Sequence, residues 1–101
     1  MNNDIPTVNY PDITEINEAL DLLNEDKMLI SSRIVEAIGE AVTNGKASVD
    51  LFRVCIGGDS SFVMRCYRDE WKECLDRSKD WFESIEDYES CANIVEILSK
   101  L

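Results

Sequence analysis

The four cysteines are the side chains of this sequence with the broadest chemistry, since a thiolate can act as a nucleophile or bind a metal. They are Cys55, Cys66, Cys74 and Cys91. No two of them form a CxxC pair, and the chain has no histidine that could complete a zinc site. Each lies in an apolar stretch, where free cysteine usually behaves as a small buried hydrophobic residue. We therefore expect reduced structural thiols and no metal site.

Other catalytic groups are equally scarce. Histidine, the most common general base, is absent, and the Gly57-Gly58 pair is too short to be a phosphate-binding loop. Cys55 lies close to this pair, but Arg53 is the only basic residue near it. The many carboxylates do not fall into a recognisable apolar pocket. The sequence therefore predicts a protein that is not an enzyme, with no catalytic residues and no cofactor.

Carboxylates dominate the charge of the chain, with 21 Asp and Glu against 10 Lys and Arg and a net charge of −11. Such a charge repels nucleic acids and anionic membranes and attracts basic protein surfaces. The acidic residues are densest before Lys27, since no basic residue interrupts them from Asp12 to Asp26. From these we predict an acidic partner-binding surface that consists of Glu15, Glu18, Asp21, Glu25 and Asp26.

The elements that must position these residues begin with an extended arm over residues 1–11, which contains both prolines. A helix is predicted to begin at Asp12, because Glu15 follows three residues later in a capping-box arrangement. Apolar residues then repeat at helical spacing, interrupted once by Lys27. One long helix or two helices fit this pattern. We favour a break at residues 24–26, with a second helix that begins at Lys27.

Residues 49–67 fit two structures. Residues 49–56 and 62–67 are rich in β-branched and aromatic residues, which would suit two strands joined by a turn at 57–60. The other structure is a pair of short helices, and we favour it because an isolated hairpin is marginally stable and no third strand is evident. The predicted fold class is therefore all-α, a bundle of four or five helices in one domain over residues 12–101. An α+β fold with a β-hairpin at about 49–67 is the alternative.

The C-terminal part has the clearest helical pattern. Apolar residues from Met64 to Ile85 repeat at 3–4 spacing, and a turn at Glu86-Asp87 separates this helix from a final one. Acidic and basic residues alternate on its other side, which is typical of a solvated helix face. The two helices are expected to pack as an antiparallel hairpin whose aromatic residues could anchor an interface. The predicted docking residues of this hairpin are Trp71, Trp81, Tyr88 and Glu89.

The segment 86–101 reads EDYESCANIVEILSKL. It combines an aromatic-Glu pair, two small residues and three spaced apolar residues, namely Tyr88-Glu89, Cys91-Ala92, Ile94, Leu98 and Leu101. This pattern resembles the second helix of the UVR motif, a helical hairpin of nucleotide-excision-repair subunits and of some chaperone–protease adaptors. It departs from that motif at Val95-Glu96, where Arg-Asp is usual. The resemblance implies a protein–protein docking and dimerisation element, not catalysis.

Three functional hypotheses follow. The first is a small acidic regulator or inhibitor that engages a basic protein, such as one that handles nucleic acids; phage antagonists of host enzymes are frequently of this kind. The second is an adaptor that forms homo-oligomers and docks through its C-terminal hairpin. The third is a small-ligand binder at a protomer interface, where Arg33, Arg53 or Arg65 would hold an anion. We expect a cytoplasmic protein, because the sequence shows neither a secretory signal nor an apolar stretch long enough to span a membrane. Its negative charge predicts that it binds neither nucleic acids nor membranes directly.

Overall fold

The computed structural model describes residues 5–58 and 60–101, which form an α+β fold. Its elements in chain order are β1 (Thr7–Tyr10), α1 (Ile16–Glu25), α2 (Lys27–Thr43), β2 (Ser48–Ile56), β3 (Ser60–Tyr67), a 3₁₀ turn (Arg68–Glu70), α3 (Trp71–Ser84) and α4 (Tyr88–Leu98). The three strands form one mixed sheet, so the predicted all-α bundle is wrong and the α+β alternative is correct. None of the described helices is long and apolar enough to span a membrane.

The sheet has the strand order β1-β2-β3. The central strand β2 runs antiparallel to β3 and parallel to β1. Apolar residues pair across its inner face, where Val54 lies between Val8 and Phe62. The helices cover this face and share one core with it. The opposite face carries residues such as Arg53 that are open to solvent, so the molecule has two layers.

A bulge in β2 changes which residues face the core. Asp50 pairs with Arg65 and Phe52 pairs with Met64, so Leu51 is the extra residue. Odd-numbered residues are buried before the bulge and even-numbered ones after it, and both Leu51 and Phe52 are buried. The alternation that identifies a strand is therefore lost in the sequence at this point.

The third strand comes from the N-terminal arm. Its residues 7–10 pair with residues 53–56 of β2, and the Pro6 carbonyl accepts a 2.9 Å hydrogen bond from the Arg53 amide. A parallel partner must be separated in sequence by a crossover connection, which α1 and α2 provide here. The predicted purely helical domain is thus wrong. Residues 1–4 of the arm and Asp59 of the predicted turn lie outside the described residues.

The helix break at residues 24–26 is confirmed. α1 ends at Glu25 and α2 begins at Lys27. The Asp26 carboxylate accepts a 3.2 Å hydrogen bond from the Leu29 amide, so it caps the first turn of α2.

The predicted helix start at Asp12 is wrong, because the neighbouring residues are bonded to the sheet. The Ile13 carbonyl accepts a 2.7 Å hydrogen bond from the Gly57 amide, and the Ile13 amide donates to the Tyr10 carbonyl. These bonds fix a turn between β1 and the helix. α1 therefore begins only at Ile16.

Both C-terminal helices are present, but the first is shorter than predicted. Residues 64–67 belong to β3, and α3 begins at Trp71 after the 3₁₀ turn. Glu86 then adopts a left-handed conformation with φ of 60°, which reverses the chain. The Asp87 carboxylate accepts a 3.1 Å hydrogen bond from the Ser90 amide and caps α4.

Candidate functional site

The carboxylates of α1 form a continuous exposed surface. Glu18, Asp21 and Glu25 follow one another at spacings of three and four residues, which places them on one side of the helix. The other side is buried through Ala19 and Leu23. All three acidic side chains are exposed, and α1 itself contains no basic residue that could neutralise them.

Glu15 and Asp26 extend this surface at the two ends of α1, and both are exposed. Within residues 5–58 and 60–101, none of the five predicted acidic residues takes part in an ion pair. Burial is the larger cause that raises the pKa of Tyr10 on β1, and the negative charge of Asp26 raises it further. We name the surface formed by the five residues the acidic face; its members are Glu15, Glu18, Asp21, Glu25 and Asp26.

Several large apolar side chains near these carboxylates in sequence are exposed. Ile16 and Leu22 on α1 and Met28 and Leu29 at the start of α2 are exposed, Met28 to 53%. Methionine adapts its shape readily to a contacting surface. A partner that binds the acidic face can therefore bury apolar area in the same interface.

The four predicted hairpin residues do not share one surface. Trp71 is fully buried, and its indole nitrogen donates a 3.2 Å hydrogen bond to the Cys66 carbonyl. Trp81 is half-buried, whereas Tyr88 and Glu89 are exposed at the start of α4. Trp71 therefore stabilises the core and has no surface that a partner could contact.

An exposed apolar stripe on α4 is a feature that the residue spacing did not predict. It consists of Tyr88, Ala92 and Val95, which follow one another at four and three residues and lie on one side of the helix. The apolar residues of this helix occupy more than one side, so the spacing alone did not identify the buried side. That side is formed by Cys91, Ile94 and Ile97. We name the exposed residues the α4 stripe.

Two of the arginines considered for anion binding already have partners. Arg33 donates hydrogen bonds to the carbonyls of Leu51 and Asp50, at 2.8 and 2.9 Å. Arg65 forms a 2.6 Å ion pair with Asp50, whereas Arg53 is exposed on the outer sheet face. The groove of about 600 Å³ that Arg33, Lys46 and Arg65 line also contains three carboxylates, those of Glu36, Glu40 and Asp50, so its lining has no excess of basic residues that would favour an anion.

All four cysteines are free, and two of them are in contact. The Sγ of Cys66, near the end of β3, lies 3.5 Å from the Sγ of Cys74 on α3. Burial, together with the hydrogen bond to the Cys74 thiol, raises the pKa of Cys66 to about 12. Burial also raises the pKa of Cys91. The sequence could not predict the contact, because it depends on where β3 ends, on the 3₁₀ turn at Arg68–Glu70 and on where α3 begins.

The two thiols line a groove of about 540 Å³ between α2, α3 and β3. Apolar side chains line part of it, and charged residues of both signs line the rest; they include Ile30, Ile34, Met64, Trp81, Lys27, Glu70, Arg77 and Asp80. We name it the thiol groove. In the part of the chain that the structure describes, no three His, Cys, Asp or Glu side chains are grouped so that they could hold a metal ion.

No family model, curated protein or solved structure matches this chain. The resemblance of residues 86–101 to the UVR motif therefore stays a prediction. Function has to be inferred from the surfaces of the chain itself.

Proposed function

We propose that this protein is a regulator or inhibitor that binds a basic surface of another protein through the acidic face. The observation that supports this proposal is the group of five exposed carboxylates at α1, for which the described residues provide no ion pair. Like charges on one helix repel one another. A cationic partner relieves this repulsion, so it is favoured over a neutral one.

A protein that handles nucleic acids fits this chemistry, because its surface already accommodates a row of negative charges. The net charge of −11 adds long-range attraction to such a partner and accelerates association. The exposed apolar residues beside the acidic face then contribute at short range. We also propose that the protein lies in the cytoplasm, whose ordinary reducing conditions favour the free form of its four thiols.

Two triple variants of equal net charge test the proposal. The first, Glu18→Lys/Asp21→Lys/Glu25→Lys, reverses the centre of the acidic face. The control reverses three exposed carboxylates that are distant from α1 in sequence, Glu40, Asp69 and Glu86. Each reversal adds two positive charges, so both variants move the net charge from −11 to −5. Asp26 is left unchanged because its carboxylate also caps α2.

The tagged proteins, checked for folding by circular dichroism, are used to capture partners from a lysate of the source cell. We expect the wild type and the control to retain the same basic protein and to release it near 300 mM salt, where the Debye length is about 6 Å. The acidic-face variant should retain little of it. If that variant retains the partner as well as the control does, the proposal is wrong.

A second function, an oligomeric adaptor that docks through the C-terminal hairpin, is favoured by the α4 stripe. Tyr88 and Val95 are exposed to 63% and 51%, although both are apolar or aromatic. Contiguous exposed apolar surface is a common feature of sites that another molecule covers, and these residues lie on one side of α4. A second copy of this chain is the simplest occupant, since a two-fold axis would set one stripe against the other.

The Tyr88→Lys/Val95→Lys variant tests this second function. The measurement is the molar mass by light scattering after size exclusion, at several protein concentrations. We expect the wild type to dimerise and this variant to remain monomeric, because lysine in the stripe would bury unpaired charge. The Ser32→Lys/Asn93→Lys control, which adds the same charge at exposed positions outside the stripe, should dimerise. A wild type that is monomeric throughout the micromolar range would exclude the adaptor.

A further inference from the structure

The contact between Cys66 and Cys74 joins two different elements. Cys66 is the penultimate residue of β3, and Cys74 lies one turn into α3. Their Sγ atoms are 3.5 Å apart, whereas a disulfide needs about 2.05 Å, so an approach of roughly 1.5 Å would form the bond. This approach would have to come from rotation of the two side chains, with the order and direction of the two elements unchanged.

We propose that Cys66 and Cys74 are a modification site, where a low-molecular-weight disulfide such as oxidised glutathione converts the two thiols into one intramolecular disulfide. Both residues line the thiol groove, through which the oxidant would reach the Cys74 thiol. Cys74 is the more exposed of the two, whereas Cys66 is only 4% exposed. The exposed thiol therefore reacts first and the buried one second.

The reaction balances without any further reagent. The Cys74 thiolate attacks one sulfur of the oxidant, which forms a mixed disulfide and releases the other half as a thiol. The Cys66 sulfur then attacks the Cys74 Sγ, forms the Cys66–Cys74 bond and releases the second half as a thiol. Two protein thiols are oxidised by two electrons, the oxidant is reduced to two thiols, and the two protein protons end on those thiols.

The surroundings of the pair make the reaction slow at neutral pH. Burial, the Cys74 thiol and the nearby charges of Glu70 and Asp69 raise the pKa of Cys66 and keep it protonated. Only a thiolate attacks a disulfide, so the second step requires a proton to leave first. We therefore expect the intramolecular bond to form faster as the pH rises, by up to about tenfold per pH unit.

The disulfide would link the end of the sheet to the first turn of α3. Cross-linking two residues eight positions apart restricts the unfolded chain, which corresponds to a rise of roughly 10 °C in Tm if the folded structure is not distorted. The same bond would fix one wall of the thiol groove. Oxidation would thus rigidify the junction between the two layers of the molecule.

The test uses the full-length folded protein and the Cys55→Ser/Cys91→Ser variant, which keeps only the proposed pair. Each is incubated with oxidised glutathione at about pH 8, where free thiols begin to ionise. Intact mass and peptide mapping under non-reducing conditions then identify the products. Cys74→Ser is the matched control, because it leaves the buried Cys66 in place.

We expect the wild type and the Cys55→Ser/Cys91→Ser variant each to lose two hydrogen atoms and to give a pair of peptides joined through Cys66 and Cys74. Both should also melt at a higher temperature after oxidation. The Cys74→Ser variant should show neither the linked peptides nor the Tm rise. A stable glutathione adduct on Cys74 with no internal bond would overturn the proposal. So would a disulfide that involves Cys55 or Cys91, or one that forms only after unfolding in urea.

Discussion

Arg33 is a charged residue with a structural role. It lies beside the bulge in β2, where the irregular pairing leaves carbonyls without their usual strand partners. Its side chain is only 16% exposed and donates hydrogen bonds to the carbonyls of Leu51 and Asp50. These bonds give hydrogen-bond donors to backbone carbonyls at the bulge, which is where the buried residues of β2 change from odd-numbered to even-numbered.

We expect Arg33→Lys to lower the free energy of unfolding by about 2 kcal/mol, because lysine cannot make both hydrogen bonds and a carbonyl would lose its partner. Urea unfolding followed by circular dichroism measures the change. Arg53→Lys, on the exposed sheet face, is the control and should cost less than about 0.5 kcal/mol. Equal losses in the two variants would show that Arg33 does not support the bulge.

The raised pKa of Cys66 predicts a loss of stability at alkaline pH. A thiol in the unfolded chain ionises near pH 8.5, whereas the pKa of Cys66 in the folded protein is about 12. Between these values the unfolded chain binds fewer protons than the folded chain. The free energy of unfolding therefore falls as the pH rises through this range, and the contribution of Cys66 is complete only below about pH 8.5.

Thermal melts of the reduced protein and of Cys66→Ser, from about pH 8 to pH 11, measure this effect. We expect the Tm of the wild type to fall more steeply, so that the difference between the two proteins narrows. The substitution changes only Cys66 and the surroundings of the Cys74 thiol that contacts it, so the comparison reports on this pair. Parallel curves would mean that burial does not hold the Cys66 thiol protonated.

At the scale of elements, the turn after β1 is fastened to the β2–β3 connection through Gly57. A Cβ atom at residue 57 would lie 2.6 Å from the Pro11 carbonyl oxygen and 3.3 Å from that of Ile13. The Gly57 amide also donates to Ile13 at 2.7 Å. Close backbone approach, rather than an unusual φ, is thus what requires glycine here.

We expect Gly57→Ala to destabilise the protein by about 2 kcal/mol, because the added methyl group separates β1 from the hairpin. Gly58→Ala is the control. It has open space around its Cβ position but a positive φ of 81°, so its cost of about 1 kcal/mol is conformational only. Chemical denaturation of both variants measures which of them loses more free energy of unfolding. A smaller loss for Gly57→Ala than for Gly58→Ala would contradict the proposed contact.

The helices of this protein could be predicted from the sequence better than its sheet. The break before Lys27 and the turn before α4 have local signals, since Asp26 and Asp87 each cap the helix that follows. The sheet has no such signal. The bulge at Leu51 interrupts the alternation of β2, and the third strand lies more than thirty residues earlier in the chain.

The candidate sites also differ in how far the sequence could predict them. The acidic face could be predicted, because exposed carboxylates at helical spacing depend only on α1 itself. The buried position of Trp71 and the thiol contact could not, because both depend on where β3 ends and α3 begins. Cys66 and Cys74 are eight residues apart in sequence. In one continuous helix that begins at Met64 they would therefore lie about two turns apart and could not touch.

At the scale of the whole molecule, the charge is distributed unevenly. On α3, carboxylates pair with bases four residues away, as in Lys72–Asp76 at 2.8 Å and Lys79–Glu83 at 3.6 Å. α1 has no basic residue, so its charges project an uncompensated negative field. Net charge alone would attract a basic protein to any side of the molecule, whereas under the proposed function this asymmetry would direct it to the acidic face.

The most direct test of the acidic face is the salt dependence of the affinity for the captured basic partner. Calorimetric titration of the purified partner gives Kd for the wild type, the acidic-face variant and the control variant at low and at roughly 300 mM salt. We predict that the acidic-face variant binds at least tenfold more weakly than the control at low salt, a difference of about 1.4 kcal/mol, and depends less on salt. Equal Kd values for the two variants would mean that net charge, and not the acidic face, attracts the partner, which would contradict the proposed function.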